Sequence, residues 1–373
     1  MTVRVDAGSL SDALYSLNKV VTVTSNSPIY KCVLIKVKDG RMLLRGTDIT
    51  VFVERQLEIE NDKGDNGSYL IVFESLFHYA QESQGRLSLD FNKSDVRIKS
   101  KTDSASPKLR SAQDFMDWPR WDSLSEFECD GDALIAAISR ANKFVSTALV
   151  SPVLYNVSVS SKKGRLVVKA ADGYRYILLD IGKVNSEQDL NFLIPYNAAS
   201  KCEGISGIKK LGIKDSMFGI KSDAGTFYFN LNSGNYPTLE SQVPQKFSLV
   251  LEVEREKLLT VFSRAVGFSD VKYRKTSLVC DSKSIAVTAE SDDRGKYAGK
   301  ISVTSGKGKE LAIMLDANHI LDFVNLIDDN PLIHFTDSQG PTVLKSNKRK
   351  DITYVTFPLV SGPGVEDAEK GET

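Results

Sequence analysis

Acid–base or metal chemistry in this chain would have to start from three histidines, His78, His319 and His334. The first two fall in helical patterns and the third in a strand pattern, so nothing in the sequence draws them to one site, and each is expected to be structural. The cysteines Cys32, Cys129, Cys202 and Cys280 contain no CxxC pair and no dense spacing of the kind that zinc or a disulfide framework uses. They are expected to be reduced and buried. GxxxxGK[ST], HExxH and GxSxG do not occur. Ser305-Gly306-Lys307-Gly308-Lys309 has the residue types of a phosphate loop without its spacing. Asp48 and Asp172 each end a strand pattern and would suit paired carboxylates. The simpler expectation is that each caps its own turn. No catalytic residue, metal site or cofactor emerges.

The elements that must position these residues repeat along the chain. Leu10, Ala13, Leu14, Leu17 and Val21 follow Ser9 at helical spacing, as Ala133, Leu134, Ala137, Ile138 and Ala141 follow Asp130 or Asp132. Leu258, Phe262 and Ala265 make a third instance. Paired strand patterns come next. The first copy has 33–37, a turn at Asp39-Gly40, then 42–45; the second has 157–160, a turn at Lys163-Gly164, then 166–169. The third has 278–280, a turn at 281–283, then 285–288. Asp48 and Asp172 keep the offset, 172 − 48 = 124. Second helices are expected at 73–84, 195–203 and 316–327. Three α+β units of about 120 residues are therefore expected, at 1–123, 124–245 and 246–360, each large enough to close its own core. Residues 361–373, rich in Gly, Pro and acid, are expected to be a disordered tail.

Composition narrows the function. Of 373 residues 41% are hydrophobic and 26% charged, which is the ordinary globular range. Lys plus Arg equals Asp plus Glu at 48 each, so bulk positive charge cannot hold this protein to nucleic acid. No apolar run approaches the roughly 18 residues of a membrane span and residues 1–10 lack a secretion signal, so a cytosolic protein without a membrane partner is expected.

Six motifs in register resemble the bacterial sliding clamp family, the beta subunit of the replicative DNA polymerase. They are Ser27-Pro28-Ile29; Asp39-Gly40 with Gly46-Thr47-Asp48; Ala171-Asp172-Gly173-Tyr174-Arg175; Gly234-Asn235-Tyr236-Pro237; Ser269-Asp270-Val271-Lys272-Tyr273-Arg274; and Tyr354-Val355-Thr356-Phe357-Pro358-Leu359. The resemblance covers roughly residues 1–361. It implies three tandem clamp domains, each with two helices on antiparallel sheets, and a head-to-tail homodimer forming a six-domain ring. Such a ring is a non-catalytic tether with no cofactor. It holds duplex DNA without sequence specificity, with Lys19, Arg140, Lys143, Lys201 and Arg264 facing the DNA. The interface would use Gly267 and Phe268 on one side and, on the other, a strand over 105–112 with Ala105 and Leu109.

The resemblance also implies a cleft that binds short peptide motifs of the replicative polymerase, the clamp loader and repair proteins. Position by position it consists of Val153, Leu154, Ala171, Gly173, Tyr174, Arg175, Tyr176, Pro237, Gln242, Val355, Phe357, Pro358 and Leu359. By residue pattern alone, 357–359 would be the end of a core strand. The chain departs from the family in four places. Its charge is balanced where the family is acidic, and Thr24, Ser25 and Asn26 stand where an arginine is common, putting DNA contact by that loop in doubt. Ser241 and Gln242 make one cleft wall more polar, and the tail continues beyond the usual terminus beside the cleft, where it would lie over the pocket. The run Lys345, Lys348, Arg349 and Lys350 could contact DNA or solubilise a hairpin, and the hairpin is the expectation. Two other readings remain: a clamp-fold peptide scaffold that does not encircle DNA, and an enzyme with an unrecognised interdomain site.

Overall fold

Asp39 and Gly40 both take left-handed backbone, φ 49° and 75°, as do Lys163 and Gly164, φ 52° and 72°. Two such residues in succession make the hairpin turn whose twist suits the flanking strands. The anticipated strand pairs form around them: Cys32–Lys38 with Arg41–Thr47, then Asn156–Lys162 followed by Arg165–Ala171, and Lys275–Cys280 with Ser284–Ser291. The computed structural model describes residues 1–21, 27–61, 66–147 and 151–359. Thr24, Ser25, Asn26 and the 361–373 tail lie outside the described residues.

Among the described residues there are six α-helices: α1 Ala7–Leu17, α2 Phe73–Gln81, α3 Gly131–Ala141, α4 Tyr196–Ala199, α5 Arg255–Phe268 and α6 Ala317–Val324. α1 starts two residues before Ser9, because the Asp6 carboxylate caps it, accepting from the Ser9 N–H at 2.9 Å. Val21 lies beyond its end. Asp130 does the same for α3, accepting from the Ala133 N–H at 3.0 Å. The second helices are shorter than their patterns. α4 is a single turn that tightens into a 3₁₀ segment, Ser200–Cys202, before Gly204 takes φ 73°. The apolar faces are buried: Leu10, Ala13, Leu14 and Leu17 on α1, Leu258, Phe262 and Ala265 on α5. A fully buried leucine contributes about 2 kcal/mol.

The described residues fold as two units, the first lying within 1–139, 158–166 and 182–234, the second within 140–157, 167–181 and 235–359. The first holds two antiparallel sheets. One orders Glu60–Asn61, Thr2–Asp6, Arg86–Phe91, Val96–Lys99 and Ser104–Ala105. The other orders Leu109–Arg110, Gly67–Val72, Cys32–Lys38, Arg41–Thr47, Val51–Glu58, Gly225–Asn230, Met217–Ser222, Ile208–Lys214 and Ser125–Phe127. In the second unit the order is Arg175–Lys183, Ile352–Thr356, Thr342–Ser346, Pro331–Phe335, Leu249–Val253, Gly295–Gly308, Ser284–Ser291, Lys275–Cys280 and Leu311–Asp316.

Two expectations need correction, the strand over 105–112 and the burial of Cys129. Residues 105–112 are not one strand: Ala105 pairs with Ile98 in one sheet, Leu109 with Ile71 in the other, and Ala112 opens a 3₁₀ turn. Pro107, with no N–H to donate, stands at the break, and its carbonyl serves Val96 instead. Lys307 belongs to the strand Gly295–Gly308, and Lys309 follows it with its N–H on the Ser248 carbonyl, so this segment is sheet and not a loop around phosphate. Cys129 is half-buried, while Cys32, Cys202 and Cys280 are buried; all four are free thiols. Burial pushes the Cys202 thiol up to about 12.

Candidate functional site

In the second unit, strand Arg165–Ala171 turns at Asp172 into Arg175–Lys183. The Asp172 carboxylate closes that turn, accepting from the N–H groups of Tyr174 at 2.9 Å and Arg175 at 3.0 Å. Gly173 sits at φ 97°, a backbone that side chains resist. The other oxygen of Asp172 takes the Arg175 Nε at 2.9 Å. The guanidinium, 13% exposed, also reaches Asp322 of α6 and the Tyr354 hydroxyl and lies over the Phe144 ring at 5.2 Å. Burial opposes its charge, yet Tyr354, Asp322 and Asp172 hold it more firmly protonated than usual.

Strand Arg175–Lys183 pairs with Ile352–Thr356, with Arg175 opposite Thr356 and Tyr176 opposite Val355. The Phe357 N–H extends the ladder to the Tyr174 carbonyl at 3.0 Å, and the Leu359 N–H reaches Met314 at 2.9 Å. This places Phe357 and Tyr176 with ring centroids 6.2 Å apart. Ala171, Tyr176, Leu239, Val343 and Val355 form a buried cluster, and Leu154, Tyr236 and Phe357 pack on it half-buried. Val153 and Leu154 come from the 3₁₀ turn Pro152–Tyr155, whose Leu154 carbonyl accepts from Ser146. Pro237 and Gln242 flank Leu239, and Ser241 and Gln242 are exposed. Pro358 and Leu359 line a cavity of about 380 Å³ with Val279, Ala312 and Met314. Tyr174 stands 60% exposed above this surface. The result is an apolar, partly open surface with few polar groups, the form that short-peptide recognition takes.

Beneath it lies a polar layer that local spacing did not reveal. His319 is buried, its Nδ1 2.9 Å from the Thr356 hydroxyl and its Nε2 3.8 Å from Asp316. Burial, then the nearby Arg175 charge, pushes the imidazole down to about 4. Burial raises the Asp316 carboxyl to about 6. This pair is therefore not an ion pair at neutral pH: the carboxylate is charged and the imidazole neutral. The Tyr176 hydroxyl is buried without a hydrogen-bond partner among the described residues, and burial pushes it up to about 12.

The other expected residues fall in different settings. The Lys19 ammonium reaches the Glu203 carbonyl and the Lys201 ammonium the Lys19 carbonyl, with Asp48 3.8 Å from Lys201. Arg140, Lys143 and Arg264 lie on or just after α3 and on α5, Lys143 and Arg264 exposed. Phe268, at the end of α5, is 37% exposed and stacks on Tyr297 with centroids 5.8 Å apart, beside the exposed Gly267. Among the described residues no group of three or more His, Cys, Asp or Glu is placed to hold a metal ion, and no helix is long and apolar enough to cross a membrane.

Comparison with known proteins agrees with this geometry. Residues 1–109 match the N-terminal domain and residues 240–360 the C-terminal domain of the DNA polymerase III beta subunit. The beta sliding clamp of Haemophilus influenzae is 20% identical over 361 residues, covering 94% of this chain and 98% of its own. The DNA polymerase sliding clamp of Bacillus subtilis superposes with a TM-score of 0.88 at 19% identity, over 97% of this chain and 100% of that one. A Pseudomonas aeruginosa sliding clamp bound to griselimycin gives a TM-score of 0.89 at 18% identity, over 96% and 99%. The fold is thus the α+β fold of the DNA sliding clamps. The chain belongs to the bacterial beta sliding clamp family, divergent at about 20% identity over its length, a family of non-catalytic polymerase accessory subunits.

Proposed function

We propose that this protein is a replicative processivity clamp. Two copies join head to tail, the closed dimer surrounds duplex DNA without reading sequence, and peptide segments of polymerase, loader and repair proteins dock on the Leu154, Tyr176 and Phe357 surface, in the cytoplasm. Each copy contributes three domains, at 1–123, 124–245 and 246–360. Phosphate contacts carry no sequence information, which is what sliding requires.

One observation carries this reading. Val51–Glu58 pairs antiparallel with Gly225–Asn230, Phe52 opposite Tyr228, and Arg175–Lys183 pairs in the same way with Ile352–Thr356, Tyr176 opposite Val355. The third pair of equivalent edges stays open among the described residues. Residues 295–302 pair on one side only, with Ser284–Ser291, and Ser104–Ala105 ends its sheet. A second copy supplies each with the missing partner. Carrying the register over sets Tyr297, on which Phe268 stacks, opposite Ala105, with Leu109 close by.

The test is sedimentation in solution together with retention on closed circular DNA. A dimer held on circles and released when they are cut is expected. Equal retention on cut and uncut DNA would leave only the peptide-binding scaffold. Griselimycin, bound by the Pseudomonas aeruginosa clamp, is the small probe for the cleft.

A further inference from the structure

Asp329 is a buried carboxylate whose partners all belong to one turn. Its Oδ1 accepts from the Ser346 hydroxyl at 2.7 Å and its Oδ2 from the Lys348 N–H at 2.8 Å. The Arg349 N–H then donates back to the Ser346 hydroxyl at 2.7 Å, and Ser346 is fully buried. Burial works against charge on Asp329, but these hydrogen bonds keep its carboxyl below the usual range. At the far side the Asp180 N–H holds the Asp351 carbonyl at 2.9 Å. The backbone of 346–351 is therefore fixed, and it presents Lys348, Arg349 and Lys350 from a rigid base.

This charge is not something the fold requires. The same hairpin occurs twice more. Val96–Lys99 returns to Ser104–Ala105 through Ser100-Lys101-Thr102-Asp103, which Ser100 and Asp103 close by mutual hydrogen bonds. Met217–Ser222 returns to Gly225–Asn230 through Asp223-Ala224, with Asp223 paired to Lys209 at 2.6 Å. Those turns carry one acid each, Asp103 and Asp223, and at most one base, Lys101. The third is longer and has three bases, only one of which is neutralised: Arg349 by Asp351. Lys348 and Lys350 are exposed, with no carboxylate within ion-pair distance among the described residues.

Arg140, at the end of α3, lies within electrostatic range of Arg349, and its proton affinity is lowered by burial and then by that guanidinium. Asp351 and the exposed Asp328 pull the other way, yet neither comes within ion-pair distance of Arg140. Two exposed lysines without a carboxylate partner and a third base, Arg349, on one fixed backbone suit an extended polyanion rather than one small ion, and Arg140 adds positive charge within electrostatic range of them. A solubilising hairpin needs neither the anchoring nor the clustering.

We propose that the 346–351 turn, with Arg140, is a phosphate-contacting element for the backbone of duplex DNA. The inference rests on the clamp reading, and to the helical lysines and arginines expected from sequence, Arg140 among them, it adds the bases of the 346–351 turn. Phosphate neutralisation releases counterions, so each lost contact flattens the dependence of log affinity on log salt by about 0.9.

The experiment is binding of a labelled 20-base-pair duplex by fluorescence anisotropy between 25 and 200 mM NaCl. It uses the full chain and the double variant Lys348→Ala with Lys350→Ala, with thermal melting to confirm folding. Flattening of the slope by about 2 and affinity reduced several-fold at the lowest salt, with a further drop for Lys348→Glu with Lys350→Glu, are expected. A normal slope for the unaltered chain with no change in either variant overturns this inference alone. No salt-dependent duplex binding by the unaltered chain overturns it together with DNA binding in the clamp reading.

Discussion

At Asp48 the chain turns from Arg41–Thr47 into Val51–Glu58, and at Asp172 it turns from Arg165–Ala171 into Arg175–Lys183. Asp48 accepts from the N–H groups of Thr50 at 3.0 Å and Val51 at 2.8 Å, just as Asp172 serves Tyr174 and Arg175. In the first corner the Asn230 N–H takes the Thr50 carbonyl and the Asn232 N–H the Leu193 carbonyl; in the second, Phe357 and Leu359 make the corresponding bonds to Tyr174 and Met314. Even the neighbouring cavities match, at about 330 and 380 Å³. Backbone and cavity size therefore belong to the fold, and only the lining differs. The first corner ends in Asn230-Leu231-Asn232, whose Asn230 amide closes on the Ile49 carbonyl at 2.7 Å. The second ends in Phe357-Pro358-Leu359 and leaves apolar surface uncovered. The proposed docking site is thus the same corner with different side chains.

The comparison breaks most directly if the apolar lining is removed. Leu154→Ala with Phe357→Ala is expected to weaken binding of a fluorescent peptide bearing two leucines and a terminal phenylalanine by about 100-fold, since such anchors carry about 2–4 kcal/mol. Leu231→Ala in the other corner should change it less than twofold. Loss of the dimer in the double variant would show that these residues are core and not cleft.

A smaller difference lies in the layer below. In the second corner Asp316, with a folded-state pKa of about 6, binds a proton that the unfolded chain has released above about 4. By itself it makes stability fall as pH rises from 4 to 6. His319, held near 4 when folded, does the opposite, since the unfolded chain takes up its proton below about 6.5. In the intact protein the two nearly cancel. His319→Gln should expose the first slope, stability falling from pH 4 to 6, and Asp316→Asn the second, stability rising from pH 4 to 6.5, read by urea melts at successive pH. A flat profile in both variants would deny the coupling.

The smallest effect separates the turns themselves. Where the second corner has Gly173 at φ 97°, the first has Ile49 at φ 77°, a conformation costly for a β-branched residue. Ile49→Gly should stabilise by about 1 kcal/mol and Gly173→Ile destabilise by about as much; thermal melting of the pair decides it.

Much of this was legible in the chain. Periodicity located both helices of each repeat, and Asp39-Gly40 and Lys163-Gly164 marked their hairpins, because local chemistry decides those features. The two aspartates were expected to cap turns, and they do. The proposed cleft residues came from the resemblance, and apolar character alone would have assigned 357–359 to the core. What no local signal carried was the long-range placement. Asp322 and Tyr354 meet Arg175 across 147 and 179 positions of sequence, and His319 finds Thr356 only once strands have paired. The break at Pro107 was visible in the residue itself, whereas the resemblance implied a continuous strand there.

The half-paired strand at 295–302 has a consequence for the single chain. A bare row of backbone donors and acceptors invites any extended polypeptide, including a newly made neighbour in the wrong register. Lys296, neutralised by Glu290 at 2.7 Å, and Lys300 stand along that row, and Pro107 lies next to the other open edge. Charge and a missing N–H at these positions disfavour indiscriminate stacking into fibres, so the fold keeps its adhesive margins guarded while a matching one can still be received.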